Sequence, residues 1–156
     1  MRTAQGDTNC CWWGSTIAME TEDFVKLLND DLATEFQSIV QYVQHIAIVT
    51  GAEYTNTVAE LTAHLPQELS HATALAEQIS FLGGIPTTAV PSVDRRDDST
   101  SALRADLDLE TRQLERYRER VQQATDMGLP DVAEAIRPLL TQTQEHVRDL
   151  QNALGS

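Results

Sequence analysis

The segment Glu68-Leu69-Ser70-His71 decides how the rest of this chain is interpreted. Its glutamate and histidine stand three residues apart, and on an α-helix two such side chains leave the same face, with Cβ atoms about 5–6 Å apart. A carboxylate and an imidazole placed in this way can bind one metal ion together. Alone the spacing is a weak signal, because a glutamate-rich helix produces it by chance on its solvated face. The surrounding sequence has to distinguish the two interpretations.

An internal repeat favours the metal interpretation. Three pairs of polar residues are separated by the same 75 positions: Asp31 and Asp106, Glu35 and Glu110, and His71 and His146. A Glu-x-x-His that arose by chance would not be accompanied by other polar pairs at one constant spacing. The repeat fails at one position, because it pairs Glu68 with Thr143 where a second glutamate is expected. We therefore interpret the Glu-x-x-His segment as part of a metal site.

The composition indicates one helical domain. With 156 residues, the chain is long enough to bury roughly 70% of the surface that it exposes when unfolded. Hydrophobic residues make up 41% of it, and there are only 7 glycines and 5 prolines. The abundant Ala, Leu, Glu and Gln favour helices. The core is expected to be stable without disulfide bonds.

The net charge of −13 limits the partners that this chain can bind. So much negative charge repels the phosphates of nucleic acids and attracts cations. No apolar run approaches the roughly 18–20 residues of a membrane span, and residues 1–20 lack the hydrophobic core of a signal peptide. The only two cysteines, Cys10 and Cys11, are neighbours and provide no disulfide or zinc framework. We therefore expect a cytoplasmic protein with no nucleic-acid partner and no membrane partner.

Apolar periodicity predicts four helices after an irregular extension at residues 1–20. The predicted helices are A, from Thr21 to about Thr50; B, from Ala52 to Leu82; C, from a cap at Ser99, Thr100 or Ser101 to just before Gly128; and D, from Pro130 onward. Residues 87–100 are rich in Pro, Ser, Thr and Asp, and this length suits a crossover between parallel helices better than a tight turn. The predicted fold is all-α: a four-helix bundle over residues 21–154 with a long crossover between helices B and C.

Acidic residues interrupt the apolar stripes of these helices. They are Asp31, Glu35, Glu68 and Glu110. Burying an unpaired carboxylate costs several kcal/mol, so these positions call for a cation or for hydrogen-bonding partners. We interpret His64, four residues before Glu68, as a hydrogen-bonded histidine beside the site rather than as a ligand. The arginines between Arg112 and Arg120 are expected on a solvated, salt-bridged face.

The sequence resembles bacterioferritin and its ferritin-like relatives over roughly Leu27 to Leu150. Gln41-Tyr42 with His45, placed after Glu35, is similar to the family's motif on helix A. The segment Ile79-Ser80-Phe81-Leu82-Gly83-Gly84-Ile85-Pro86 is similar to the family's exit from helix B, at the same distance from Glu-x-x-His. The resemblance implies a ferritin-like four-helix bundle with a di-iron-type site inside each subunit.

The resemblance also implies a set of five metal ligands: Glu35, Glu68, His71, Glu110 and His146. Glu35 and Glu110 are the expected terminal ligands, Glu68 the expected bridge between two ions, and each histidine supplies one nitrogen. The three glutamates and Tyr42 form the expected catalytic set, although a core position explains Tyr42 equally well. The expected metal is iron, with two ions per subunit, and manganese or zinc also suits these ligands. In the family such a site oxidises Fe(II) with O2 or peroxide, and the Fe(III) is stored as mineral inside a cage.

Three departures from the family pattern change what the resemblance implies. Thr143 replaces the second bridging glutamate, and Gln142, one turn before His146, is a poor substitute because its amide is neutral. One metal position should therefore be weaker. Leu69 stands where bacterioferritins carry a haem-ligating methionine, so no haem is expected. The sequence printed here has no room for the family's short fifth helix, so a closed cage is not implied. A homo-oligomer, dimeric or larger, is expected by analogy alone.

The leading interpretation is a non-haem ferritin-like protein that oxidises Fe(II), a ferroxidase, for iron storage or detoxification. Two alternatives stay open. One is a peroxide-reducing or manganese-catalase-like enzyme that uses the same bundle and ligands. The other is a degenerate bundle with a mononuclear or structural metal and no turnover. Metal stoichiometry and turnover distinguish them.

Overall fold

The structure is a computed structural model that describes residues 19–93 and 95–155. Four long helices follow one another along the chain: α1 (Thr21–Ile48), α2 (Thr55–Phe81), α3 (Ser99–Asp126) and α4 (Pro130–Leu154). They form an all-helical four-helix bundle with a long connection between α2 and α3, which confirms the predicted fold class. The predicted extension at residues 1–20 lies outside the described residues, apart from its last two positions. Within the described ranges, no helix has the length and apolar character needed to cross a membrane.

The helix ends differ slightly from the predicted ones. α1 ends at Ile48, two residues earlier than predicted, and a 3₁₀ turn, Ala52–Tyr54, precedes α2. Between them Gly51 has a φ of +125°, which glycine adopts without the steric cost that a Cβ brings. The N-cap of α3 is Asp98, whose side chain accepts a 2.9 Å hydrogen bond from the backbone N–H of Ser101. The prediction of a serine or threonine cap was therefore wrong, although Asp is an equally good capping residue.

The connection between α2 and α3 returns along α1. At one end of the bundle, Asn29 donates a 3.2 Å hydrogen bond to the carbonyl oxygen of Ile85 and accepts one of 2.6 Å from the backbone N–H of Thr87. At the other end, the Ser99 hydroxyl donates a 3.1 Å hydrogen bond to the carbonyl oxygen of Thr50. α3 therefore begins beside the end of α1 and runs parallel to α2, as the crossover prediction requires.

Two apolar clusters fill the two ends of the bundle. The cluster near the start of α1 draws on all four helices, with fully or almost fully buried members such as Phe24, Leu75, Tyr117 and Ile136. The cluster near the end of α1 includes Tyr42, Leu61, Leu103 and Leu150. Burying one large apolar side chain stabilises the fold by about 1.5–3 kcal/mol. Between these clusters lies a band of buried polar side chains, and these clusters hold that band in place.

One arginine that was expected on the surface is buried. Arg120 is 4% exposed, and its guanidinium contacts the fully buried carboxylate of Asp31. The arginines around it, such as Arg112 and Arg118, are exposed as expected. The prediction was wrong at Arg120 because a buried acid on α1 supplies the counter-charge, which the sequence of α3 alone does not reveal.

Candidate metal centre

The polar band at the middle of the bundle contains two overlapping groups of metal-ligand side chains. One group is Glu35, Glu68 and His71, and the other is Glu68, Glu110 and His146. Within each group the candidate ligand atoms lie within 4.8 Å of one another, and every member is buried. All four helices contribute at least one residue. The structure thus brings together all five residues that were predicted as metal ligands.

Glu68 belongs to both groups because its two carboxylate oxygens face different histidines. Its Oε1 lies 2.8 Å from Nδ1 of His146, and its Oε2 lies 3.6 Å from Nδ1 of His71. Each histidine also faces one further carboxylate: Glu35 Oε2 is 3.4 Å from His71 Nδ1, and Glu110 Oε2 is 3.4 Å from His146 Nδ1. Two buried Glu/His groups that share one carboxylate are consistent with a dinuclear metal site.

The atoms that face the centre of the site lack hydrogen-bond partners. Among the described residues, Oε2 of Glu35, Oε1 of Glu68 and Nδ1 of both His71 and His146 are buried and make no hydrogen bond of suitable geometry, although they lie at ion-pair distances from one another. Leaving a buried polar atom unsatisfied costs about 1–3 kcal/mol. Because these oxygen and nitrogen atoms converge on one point, metal ions are the partners that satisfy all of them at once. The residues present therefore fit a pair of metal ions.

The opposite ring nitrogen of each histidine contacts a glutamine on the facing helix. His71 Nε2 lies 2.7 Å from Oε1 of Gln142, and His146 Nε2 lies 2.7 Å from Oε1 of Gln67. An amide oxygen only accepts hydrogen bonds, so each Nε2 carries the proton in this arrangement.

Two tyrosines hold the outer oxygens of the terminal carboxylates. The Tyr42 hydroxyl donates a 2.7 Å hydrogen bond to Oε1 of Glu110, and the Tyr117 hydroxyl donates a hydrogen bond to Oε1 of Glu35. Gln113 donates a second hydrogen bond, of 3.2 Å, to the same oxygen of Glu35. Burial and the neighbouring carboxylates raise the pKa of both tyrosines well above 10, so they stay protonated donors. The prediction that Tyr42 lies near the site is met, and its catalytic role stays a prediction.

Charge coupling dominates the site of the metal-free protein. Burial lowers the pKa of both histidines, but the facing carboxylates outweigh burial and raise it to about 10 for His71 and about 9 for His146. Burial and the charge of Glu68 raise the pKa of Glu35 to about 8. Protons on the histidines therefore neutralise part of the carboxylate charge until cations replace them.

The residue that stands in place of the second bridging glutamate is also buried. Thr143 lies on α4 and is 1% exposed, three residues before His146. A threonine hydroxyl carries no negative charge, so among the described residues Glu68 is the one carboxylate shared by both ligand groups. The asymmetry predicted from the sequence is thereby retained in the fold.

His64 lies beside the site and belongs to neither ligand group. Its Nε2 is 3.3 Å from Oδ2 of Asp149, and its ring stacks on His146 with a centroid distance of 4.0 Å. Burial and the nearby His146 lower its pKa to about 4, so it is neutral near pH 7. This placement agrees with the interpretation of His64 as a neighbour of the site rather than a ligand.

The two buried aspartates of the repeat lie outside both ligand groups and have other partners. Asp31 pairs with Arg120. Asp106 accepts hydrogen bonds of 2.8 Å from Gln41 and from Nδ1 of His45. Asp31 thus has the partner that its position in an apolar stripe called for, and Asp106 has partners as well.

Sequence reasoning missed several residues that support the site: Gln67, Gln113, Tyr117 and the true role of Gln142. The signal that finds most of them is the repeat itself. Gln142 follows Gln67 by 75 positions, and Tyr117 follows Tyr42 by the same 75. Applied to uncharged residues, the 75-residue repeat pairs Gln67 with Gln142 and Tyr42 with Tyr117.

Four-helix bundles with a buried centre of carboxylates and histidines form one class of metal-binding proteins. The ferritin-like domain family matches residues 25–156, and this chain belongs to that family. The resemblance found in the sequence is thereby confirmed.

The relatives span most of the chain. A ferritin-like, diiron-carboxylate protein of Bacillus anthracis superposes with a TM-score of 0.81 at 27% identity, covering 87% of this chain and 99% of its own. The bacterioferritin-related protein of Bacteroides fragilis, a dodecameric thioferritin, has a TM-score of 0.75 and 25% identity, with 88% of each chain covered. Bacterioferritins of Mycobacterium bovis and Mycobacterium tuberculosis are 24% identical over 133 residues, 85% of this chain and 84% of theirs.

Proposed function

We propose that this protein binds two Fe(II) ions in the bundle and oxidises them, as a non-haem ferroxidase that serves iron storage or detoxification. The observation that carries the proposal is Glu68, whose two oxygens face two separate Glu/His groups. In this proposal Glu68 is the bridging ligand, Glu35 and Glu110 are terminal ligands, and the histidines supply one nitrogen each. The diiron-carboxylate relative from Bacillus anthracis supports the choice of iron. Manganese and zinc suit the same ligand types.

The charge balance of the site agrees with two divalent cations. Three carboxylates supply three negative charges, and two divalent ions supply four positive ones, which leaves a small residual charge in a buried position. Each Fe(II) gives up one electron on oxidation. Two Fe(II) ions and O2 with two protons yield two Fe(III) and H2O2, and with H2O2 and two protons they yield two Fe(III) and two waters.

The residues of this chain orient the ligands and keep water away from the site. Tyr42 and Tyr117 hold the outer oxygens of Glu110 and Glu35, so that in each terminal carboxylate only Oε2 is left to face the centre. Preorganised ligands lower the cost of metal binding. The apolar clusters at both ends of the bundle close the site along its axis.

The proposal includes no haem and leaves the assembly to family analogy. Leu69, the residue that replaces the expected haem-ligating methionine, is 60% exposed on the outer face of α2 and has no metal-binding atom. The dodecameric relative supports a homo-oligomer, a dimer or larger.

Metal content and oxidation together test the proposal. The purified protein is loaded with Fe(II) without oxygen, its iron is counted per chain, and Fe(III) absorbance is followed on admitting air. We expect about two irons per chain and a rapid rise in absorbance. In Glu68→Gln both binding positions lose their shared charge, so binding and oxidation should collapse. Glu77→Gln, an exposed position on the same helix, is the matched control and should behave like the native protein.

Thr143 favours a second candidate function, a bundle with one structural or mononuclear metal and no turnover. That candidate predicts at most one tightly bound metal per chain and no rise in Fe(III) absorbance. A peroxide-reducing or manganese-catalase-like enzyme uses the same residues and is distinguished by its oxidant. Rapid peroxide consumption, or O2 release from peroxide by the manganese-loaded protein, would favour it over the ferroxidase.

A further inference from the structure

We propose that Gln67 and Gln142 are positioning residues that fix both site histidines in the Nε2–H tautomer, so that both Nδ1 lone pairs are presented to metal ions. This inference deepens the proposed function and rests on it. Neither glutamine touches the centre of the site. Each acts through a histidine on the facing helix.

The two contacts are crossed between the halves of the bundle. Gln142 on α4 accepts from His71 on α2, and Gln67 on α2 accepts from His146 on α4, both at 2.7 Å. Each glutamine stands four residues before the histidine of its own helix, yet contacts the histidine of the other helix. The same contact, at the same distance, is therefore made twice by residues in register with the repeat.

The tautomer decides whether the site can take a metal. A neutral imidazole has one N–H and one lone pair, and only the lone pair binds a metal. With the proton held on Nε2 and the Nδ1 proton displaced by a metal ion, Nδ1 of His71 and Nδ1 of His146 offer lone pairs where the carboxylates converge. With the proton on Nδ1, the histidines would donate to those carboxylates and the lone pairs would point at the glutamines. Hydrogen bonds of this kind on the far nitrogen typically fix the orientation of metal-binding histidines.

An amide performs this task without adding charge. The site already holds the carboxylates of Glu35, Glu68 and Glu110, all buried. A carboxylate in place of either glutamine would accept the same hydrogen bond, but it would add a fourth negative charge close to the site. The amides thus orient the histidines while the charge of the centre stays matched to two divalent ions.

Partial exposure argues against a role in core packing alone. Gln67 and Gln142 are neither fully buried nor fully exposed, so neither is a core residue. A residue retained only for packing would not need to place an acceptor oxygen on the Nε2 atoms of His71 and His146.

Zinc binding tests the proposal, because Zn(II) is redox-inert and reports affinity without turnover. Zn(II) titrations compare the native protein with Gln142→Leu and Gln67→Leu, which remove the acceptor. Gln144→Leu, an exposed residue on α4, is the control. We expect each acceptor variant to weaken one of two zinc positions by about 10–100-fold and the control to leave both unchanged. Native-like zinc affinity in both acceptor variants would overturn the proposal.

A double-mutant cycle separates positioning from a merely structural role. Gln142→Leu should cost no further zinc affinity in a His71→Ala background, because the ligand that it positions is gone. It should still cost affinity in a His146→Ala background, since His71 is then the remaining nitrogen ligand. Equal losses in both backgrounds would show that the substitution damages the fold in general, and would contradict the proposal.

A spectroscopic measurement adds a readout for the tautomer itself. In the zinc-loaded native protein, the Nε2–H proton of His71 should give an NMR signal protected from solvent exchange. Gln142→Leu should broaden this signal, and Gln142→Glu, which restores an acceptor, should bring it back. A zinc-bound His71 with its proton on Nδ1 would contradict the proposal. A native protein that binds no zinc would instead count against the proposed metal site.

Discussion

Nε of Arg120 donates a 2.7 Å hydrogen bond to Oδ2 of Asp31, in the interior between α3 and α1. Burial raises the pKa of Asp31 to about 6, even though the guanidinium of Arg120 opposes this shift. The contact lies outside the metal centre and joins the first helix to the third. It therefore couples the two halves of the bundle independently of any bound ion.

Removing the arginine should destabilise the metal-free protein. Arg120→Met leaves the carboxylate of Asp31 buried without its main partner, which typically costs about 3–5 kcal/mol in the free energy of unfolding. Urea denaturation in the presence of a chelator measures this cost. Arg118→Met removes an exposed arginine from the same helix and should change the free energy of unfolding by less than about 1 kcal/mol. Similar losses in both variants would contradict the assignment of Arg120 to the core.

The two tyrosines should differ in importance. Within residues 19–93 and 95–155, Tyr42 is the one hydrogen-bond donor on Oε1 of Glu110, whereas Oε1 of Glu35 also accepts a hydrogen bond from Gln113. We expect Tyr42→Phe to lower zinc affinity and the Fe(II) oxidation rate by roughly 10-fold or more. Tyr117→Phe should have a smaller effect.

The control for the tyrosine variants is Tyr54→Phe. Its hydroxyl lies 3.3 Å from Oγ1 of Thr100, away from the ligand groups. This variant should keep native zinc affinity and oxidation rate. A larger effect for Tyr117→Phe than for Tyr42→Phe would show that the hydrogen bond from Gln113 does not hold Glu35 in place when the tyrosine hydroxyl is removed.

Restoring the second bridge should have opposite effects with and without metal. Thr143→Glu adds a fourth carboxylate to a buried site, so it should lower the free energy of unfolding of the metal-free protein by about 3 kcal/mol or more. With zinc bound, the added charge should tighten the weaker metal position roughly tenfold or more. Gln144→Glu adds the same charge at an exposed position and should do neither. Unchanged zinc affinity in Thr143→Glu would mean that the asymmetry of the site has another cause.

The pH dependence of stability should largely disappear when metal is bound. The pKa values of His71 and His146, about 10 and about 9, lie above the value of about 6.5 in an unfolded chain. Between these limits the folded protein holds more protons than the unfolded chain, so the free energy of unfolding falls as pH rises. The raised pKa of Glu35, about 8, acts in the same direction.

Denaturation at about pH 6, 8 and 10 checks this prediction with chelator and with zinc. The chelated protein should lose stability steadily across the series. In the zinc-loaded protein the metal has already displaced the protons from both histidines, so most of this decline should disappear. A chelated protein that gains stability towards pH 10 would contradict the assigned charge coupling.

The sequence predicted the parts of this protein that depend on periodicity and charge. The apolar stripes located all four helices, because a stripe that packs against other helices repeats every three or four residues. Glu35 and Glu110 stood out as acids in such stripes. The repeat then linked them to His71 and His146, and the structure brings these residues together.

The remaining features depend on contacts between helices, which no single helix encodes. Gln142 appeared only as a poor candidate ligand, because its partner His71 lies on another helix. Arg120 appeared to belong to a solvated face, because Asp31 is 89 positions away in the sequence. The cap at Asp98 was missed because several capping residues follow one another there, and local sequence does not rank them.

The contacts around the site also show that the bundle consists of two helical hairpins. The contacts of Tyr42 with Glu110, Tyr117 with Glu35, and each glutamine with its histidine all run between the hairpin α1–α2 and the hairpin α3–α4. The group of Glu35, Glu68 and His71 lies within the first hairpin, whereas the group of Glu68, Glu110 and His146 takes Glu68 from the first hairpin and its other two members from the second. The centre thus lies at an interface between two similar but unequal hairpins, and in a chain cut in the crossover the second hairpin should complete its ligand group only when it associates with the first.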